Sequence, residues 1–135
     1  MNLLVIDGQG GQLGGQLIKS LKANVKNVKI MAVGTNATAT VTMLKAGADQ
    51  AATGENPVIV ACRKADVIIG PIGIVIADAM FGEITPQMAT AVGQADAIRI
   101  LLPVNKCENI VAGISELSTA TILEDVVQKV RGLLE

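Results

Sequence analysis

Residues 7–15 read Asp7-Gly8-Gln9-Gly10-Gly11-Gln12-Leu13-Gly14-Gly15, and that spacing suits the capture of an anion. Gly8, Gly11 and Gly14 recur every third residue, with Gly10 inserted. One glycine permits a tight turn, one lets a phosphate approach the backbone, and one lets a helix pack closely on a sheet. Main-chain N–H groups of such a loop, backed by a helix N-terminus, attract a phosphate. Gln9 and Gln12 add neutral donors suited to phosphate or ribose. Asp7 either holds a ligand hydroxyl or forms a local turn. The same glycines also fit a plainer role, in which they serve strand–helix packing alone.

Other groups are weaker candidates. Gly70-Pro71-Ile72-Gly73 follows an apolar run and is expected to face the glycine loop. Together the loops would clamp a phosphate or a flat ring; alternatively this one is a rigid turn under a subunit contact. Thr35 and Asn36 have side chains that hydrogen-bond a ribose or a phosphate, and Asn36 also suits a helix N-cap. Thr53-Gly54-Glu55-Asn56-Pro57 opens a helix, with Thr53 as its cap and Glu55 at its positive end. Asp78 and Glu83 are either a carboxylate pair at the cleft edge or solvated surface acids. Cys107 follows Lys106, a cation able to lower a thiol pKa, so it is either reactive or inert. Cys62 lies on an expected helix after the apolar run at residues 58–61 and reads as core.

Composition narrows the chemistry. The 135 residues include no His, Tyr or Trp, and Phe81 is the single aromatic. The commonest general base and metal ligand is therefore missing, and no metal is expected. Without a stacking platform or a basic run, at a net charge of −1, nucleic acid is not an expected partner. The two cysteines match no metal spacing. The uncharged, apolar stretch at residues 67–77 falls short of the ~20 apolar residues a membrane span needs. No basic, hydrophobic and cleavage pattern opens the chain. A cytoplasmic protein with reduced thiols is the expectation.

The candidate loops need elements to hold them. Strand and helix patterns alternate throughout. Strands are expected at 2–6, 28–33, 48–51, 67–69 and 97–102, with a sixth, short one at 109–114. Helices are expected at 11–23, 36–45, 55–65, 74–80, 87–94 and 117–134. Strands one, four and five are apolar almost throughout, as in sheets covered by helices on both faces. Right-handed crossovers then give a doubly wound, three-layer α/β parallel sheet in the order 3-2-1-4-5, one domain over residues 1–135. Ligand groups of such a sheet gather at the strands' carboxyl ends, here at 7–15 and 70–73.

The Gly11-Gln12-Leu13-Gly14 segment resembles the start of Rossmann-like NAD(P)-binding domains, and in particular the G-x-x-G-x-L-G loop of extended short-chain dehydrogenase/reductases. The resemblance covers about the first 36 residues. It implies that Gly8, Gly11, Gln12, Leu13 and Gly14 lie against a pyrophosphate. It is incomplete: no acid stands near Val33-Gly34-Thr35-Asn36 to hold a ribose, and without tyrosine the Tyr-x-x-x-Lys mechanism of those enzymes is excluded. The whole chain is similar to a family of short, functionally uncharacterised bacterial proteins. That likeness rests on Gly34-Thr35-Asn36-Ala37-x-Ala39-Thr40, Met43-Leu44-Lys45-Ala46-Gly47-Ala48, Thr53-Gly54-Glu55-Asn56-Pro57 and Gly70-Pro71-Ile72-Gly73-Ile74. It implies no activity.

The leading expectation is a protein that binds a nucleotide, NAD(P) among the candidates, or another phosphate-bearing metabolite. Its acid–base groups are few, which favours a sensing or regulatory role. The alternatives are a small enzyme acting on a phosphorylated substrate or nucleotide, and a structural module without a ligand. The high hydrophobic fraction points to a homodimer, formed through residues 74–81 or the C-terminal helix.

Overall fold

Leu3, Leu4, Val5 and Ile6 are all essentially solvent-free, so the first strand is covered on both faces. The computed structural model describes residues 1–104 and 108–135. Its strands are β1 (Asn2–Asp7), β2 (Lys29–Gly34), β3 (Gln50–Thr53), β4 (Val67–Pro71) and β5 (Ile98–Leu102). Its helices are α1 (Gln12–Asn24), α2 (Ala37–Lys45), α3 (Glu55–Lys64), α4 (Pro86–Gln94) and α5 (Thr119–Leu134). The strands form one parallel sheet in the order β3-β2-β1-β4-β5, the expected doubly wound Rossmann-like arrangement.

The period of two along β1 divides the core. Leu3 and Val5 pack with Leu17, Ile18 and Leu21 of α1, Met43 of α2, and Ile122, Val126 and Val130 of α5. Leu4 and Ile6 pack on the other face with Val58 and Cys62 of α3 and Met88 and Val92 of α4. Right-handed crossovers explain the division, because the chain runs one way from β1 to β3 and back the other way to β5. Helix starts are marked as their sequences suggest. Asn36 Oδ1 accepts from Ala39 N–H, Thr85 Oγ1 accepts from Met88 N–H with Pro86 beside it, and Ser118 Oγ accepts from Thr121 N–H.

Several local expectations change. Residues 74–80 form no helix: a short 3-10 turn over Ile72–Val75 leads into tight turns up to residue 84. Asp78, Met80 and Phe81 there take positive φ, and Gly82 follows at +88°, which a helix does not permit. Residues 109–114 form no strand. Glu108 at φ +67° and Gly113 at +82° bend that stretch away from extended geometry. Thr53 does not cap α3, whose N-cap is Gly54 at φ +106°; its hydroxyl bonds Thr40 Oγ1 instead. Strand β5 is an edge, with Ile98 and Arg99 exposed, rather than a strand covered throughout. Among the described residues no helix is long and apolar enough to cross a membrane.

Candidate functional site

Asp7 ends β1 and is 4% exposed. Its Oδ1 accepts from Gly8 N–H at 2.8 Å and its Oδ2 from Gly14 N–H at 2.7 Å. One carboxylate thus ties the strand end to the first turn of α1 and sets the curvature of the loop between them. The loop closes further through Gly11 N–H to the Gly8 carbonyl, 2.9 Å. Gly11 is the N-cap of α1 at φ +73°, a left-handed conformation that favours glycine.

This folding leaves some amides unused. Gly8, Gly11, Gly14 and Gly15 donate within the protein, and Gln9 N–H donates to Glu83. The N–H groups of Gly10, Gln12 and Leu13 have no acceptor among the described residues, as expected where a helix begins. They border a cleft of about 460 Å³ lined by Asp7, Gly8, Gln9, Gly10, Gly11, Gln12, Leu13, Gln16, Val104 and Thr119. Gln16, Val104 and Thr119 escaped sequence reasoning. Gln16 follows one turn after Gln12 and was within reach of it; Val104, beyond the end of β5, and Thr119, at the start of α5, reach the cleft only through tertiary packing. A separate, mostly apolar hollow of about 290 Å³ lies between β3 and α3, away from the loop.

The electrostatics of the loop are set by two acids. Burial pushes the Asp7 carboxyl above its ordinary range, against the amides of Gly14 and Gly8, and the charge of Glu83 adds to the rise. For Glu83, partial burial acts upward, but hydrogen bonds from Thr35, Gln9 N–H and Asn36 outweigh it and hold the group low. Glu83 Oε1 accepts from Thr35 Oγ1 at 2.6 Å, Asn36 Nδ2 at 2.8 Å and Gln9 N–H at 2.9 Å. It therefore joins the β1–α1 loop, the β2–α2 loop and the turn before α4. Asp78 takes no part; its backbone N–H donates to the Ile84 carbonyl.

Glu83→Gln checks this joint. A depressed folded-state pKa means that Glu83 contributes stability above its unfolded value, and that the contribution is lost as pH falls through the folded value. The variant should unfold at lower urea than the native chain at neutral pH, and the gap should close on acidification. An equal gap at all pH values would show that the charge plays no part.

The other sequence candidates are placed differently from the loop. Thr35 and Asn36 sit beside it, but their side chains are engaged: Asn36 Nδ2 also donates to the Gln9 carbonyl, and its Oδ1 caps α2. Gly70, Pro71 and Gly73 are buried. A Cβ on Gly70 would stand 2.5 Å from the Ile6 carbonyl oxygen, and one on Gly73 3.2 Å from Ala79 Cβ. These glycines allow close packing below the cleft, and none of the three lines it. Glu55 accepts from Thr85 Oγ1 at 2.5 Å and so links the starts of α3 and α4. Burial pushes the Cys62 thiol up to about 11, which leaves it inert. Cys107 lies outside the described residues.

The domain family described as a domain of unknown function, DUF3842, matches residues 2–135. No curated protein matches the chain. Among solved structures, a dodecameric FMN-dependent UbiX-like decarboxylase from Escherichia coli O157:H7 is similar at 20% identity and a TM-score of 0.49. That similarity covers 98% of this chain and 76% of the other.

Proposed function

The chain belongs to the DUF3842 family, and we propose that it binds a phosphate-bearing small molecule of mononucleotide size in the cleft at the start of α1. The unused amides of Gly10, Gln12 and Leu13, at a helix N-terminus that opens into that cleft, carry the reading. The cleft volume of about 460 Å³ is that of a small-ligand site. Gln9, Gln12, Gln16 and Thr119 supply neutral side-chain donors or acceptors around it. A dinucleotide such as NAD(P) fits less well, because Thr35 and Asn36, in the turn after β2, are held by Glu83 and the cap of α2.

Asp7 is the one titratable side chain lining the cleft among the described residues. Binding without turnover, as in a sensor or regulator, suits so sparse a set. The free thiol Cys62 suits a reducing, cytoplasmic setting. An enzyme is the second reading, favoured by one observation: burial raises the pKa of Asp7, the kind of perturbation that catalytic acids carry. Against it, both carboxylate oxygens already accept from loop amides.

The test is thermal unfolding against a panel of mononucleotides, sugar phosphates and inorganic phosphate. A ligand at a hundred times its Kd should stabilise the native chain by about 2.7 kcal/mol. Gly10→Glu should abolish the shift while the unliganded protein stays folded, because a Cβ at Gly10 meets nothing within 4 Å. A panel without a single shift, or a shift unchanged in Gly10→Glu, would remove the reading.

A further inference from the structure

Strand β5 pairs with β4 and with nothing else among the described residues. Ile98 N–H donates to the Asp66 carbonyl, so by the alternation of a parallel ladder Ile98, Ile100 and Leu102 turn their backbone groups to β4. Arg99 and Leu101 turn theirs outward, and no described residue pairs with them. Natural edges are blunted by outward charge, by proline or by a bulge. Here Arg99 is the only charge, and its Nη1 is drawn back onto the carbonyls of Ala95, Ala97 and Val92 at the end of α4. The proline, Pro103, comes only after the strand ends. With that one charge held back toward α4, the outward backbone groups of Arg99 and Leu101 are able to pair.

The surface beside it is largely apolar. A groove of about 870 Å³ runs between β5, α5 and residues 113–117. Ile98, Ile114 and Leu117 line it at 51%, 46% and 52% exposure. Asp125 and Lys129, one turn apart on α5, form an ion pair on its wall.

We propose that a second copy of this chain occupies this edge, pairing antiparallel with β5 across a two-fold axis at Ile100. The register follows from the backbone. Arg99 then faces Leu101 of the partner subunit as a hydrogen-bonded pair, and the outward N–H and C=O groups of both residues are satisfied. Ile100 meets its own copy on the α5 side, and the exposed Ile98 flanks that contact. The charges are self-complementary as well. A two-fold turns α5 antiparallel to its copy and brings Asp125 toward Lys129 of the partner subunit. Opposite charge in one short segment is the arrangement that accepts a second copy of itself.

Light scattering of the intact chain at micromolar concentration, with analytical ultracentrifugation of variants, decides the matter. The native chain is expected at twice the chain mass. Leu101→Pro removes an outward N–H that β4 does not use, and should give a monomer with the native circular dichroism spectrum. Should that variant fail to fold, charge exchange at two exposed positions still tests the geometry. Asp125→Lys and Lys129→Asp should each weaken the dimer by about tenfold, and the double exchange should restore it. A monomeric native chain would overturn the proposal and leave the edge to some other strand. A dimer indifferent to Leu101→Pro and to the charge exchange would overturn it too, by placing the contact elsewhere.

Discussion

Gly11→Ala should destabilise the protein by about 3–5 kcal/mol, the largest loss expected of any single methyl group in the site. Gly11 sits at φ +73°, and an added Cβ would stand 2.7 Å from Ala39 Cα and 2.8 Å from the Ala39 carbonyl oxygen. Left-handed geometry alone costs about 1–2 kcal/mol for a residue with a Cβ. The clash adds more, because its targets are backbone atoms of α2 and no rotamer change relieves them. Helix α2 would have to withdraw from α1, loosening the buried packing of Met43 with Leu17 and Ile18. The measurement is urea unfolding of Gly11→Ala beside Gly10→Ala. Gly10 is exposed, meets nothing within 4 Å and has no positive φ, so that control should unfold with the native chain. A Gly11→Ala midpoint equal to the control's would show that the close approach of loop and α2 is not as described.

Asp7→Ala should cost roughly 2–4 kcal/mol. The buried amides of Gly8 and Gly14 lose their acceptor, and each orphaned donor costs about 1–3 kcal/mol, less whatever the cleft's water returns. Asp7→Asn keeps one oxygen as acceptor and should fall between. The pH dependence separates this acid from an ordinary cap. Its folded pKa is raised, chiefly by burial, so the fold favours the protonated acid. The contribution of Asp7 to stability is then fully present below its unfolded pKa and is lost as pH rises through the folded value. Native stability should carry that downward component across the window, opposite in sign to the Glu83 contribution, and Asp7→Asn should lack it. A carboxyl-carbon NMR titration gives the direct reading, with a midpoint above the usual Asp range. A midpoint at or below that range would remove the buried-acid account of the loop.

The parts of the site legible in advance were those with a local trace. The apolar run at residues 3–6, the glycines after it and the period of Leu17, Ile18 and Leu21 each announce a strand, a turn and a helix within a few residues. Asn36 as a helix cap is local in the same sense. Glu83 left no such trace. Its role depends on Thr35 and Gln9, 48 and 74 residues away, and no periodicity records a hydrogen bond over that separation. The turns at 78–81 went unread because Ile, Val, Ala and Met dominate residues 74–80 and fit a helix or a strand equally well. Only the backbone bonds of Asp78 with Ile84 and of Gly82 with Asp78 settle them.

By itself the sequence determined the alternation of elements, the parallel order 3-2-1-4-5 and the loop at the end of β1, because burial periodicity and crossover handedness are properties of short segments and of their succession. Tertiary structure alone decided which polar groups remain available. It buried Gly70, Pro71 and Gly73, committed Thr35 and Asn36 to Glu83 and α2, and gave Gly8 and Gly14 to Asp7, leaving the amides of Gly10, Gln12 and Leu13 without an acceptor among the described residues. The physical reason is that a hydrogen-bonding group is free only after every neighbour in space has taken its share, and those neighbours are assembled by the fold.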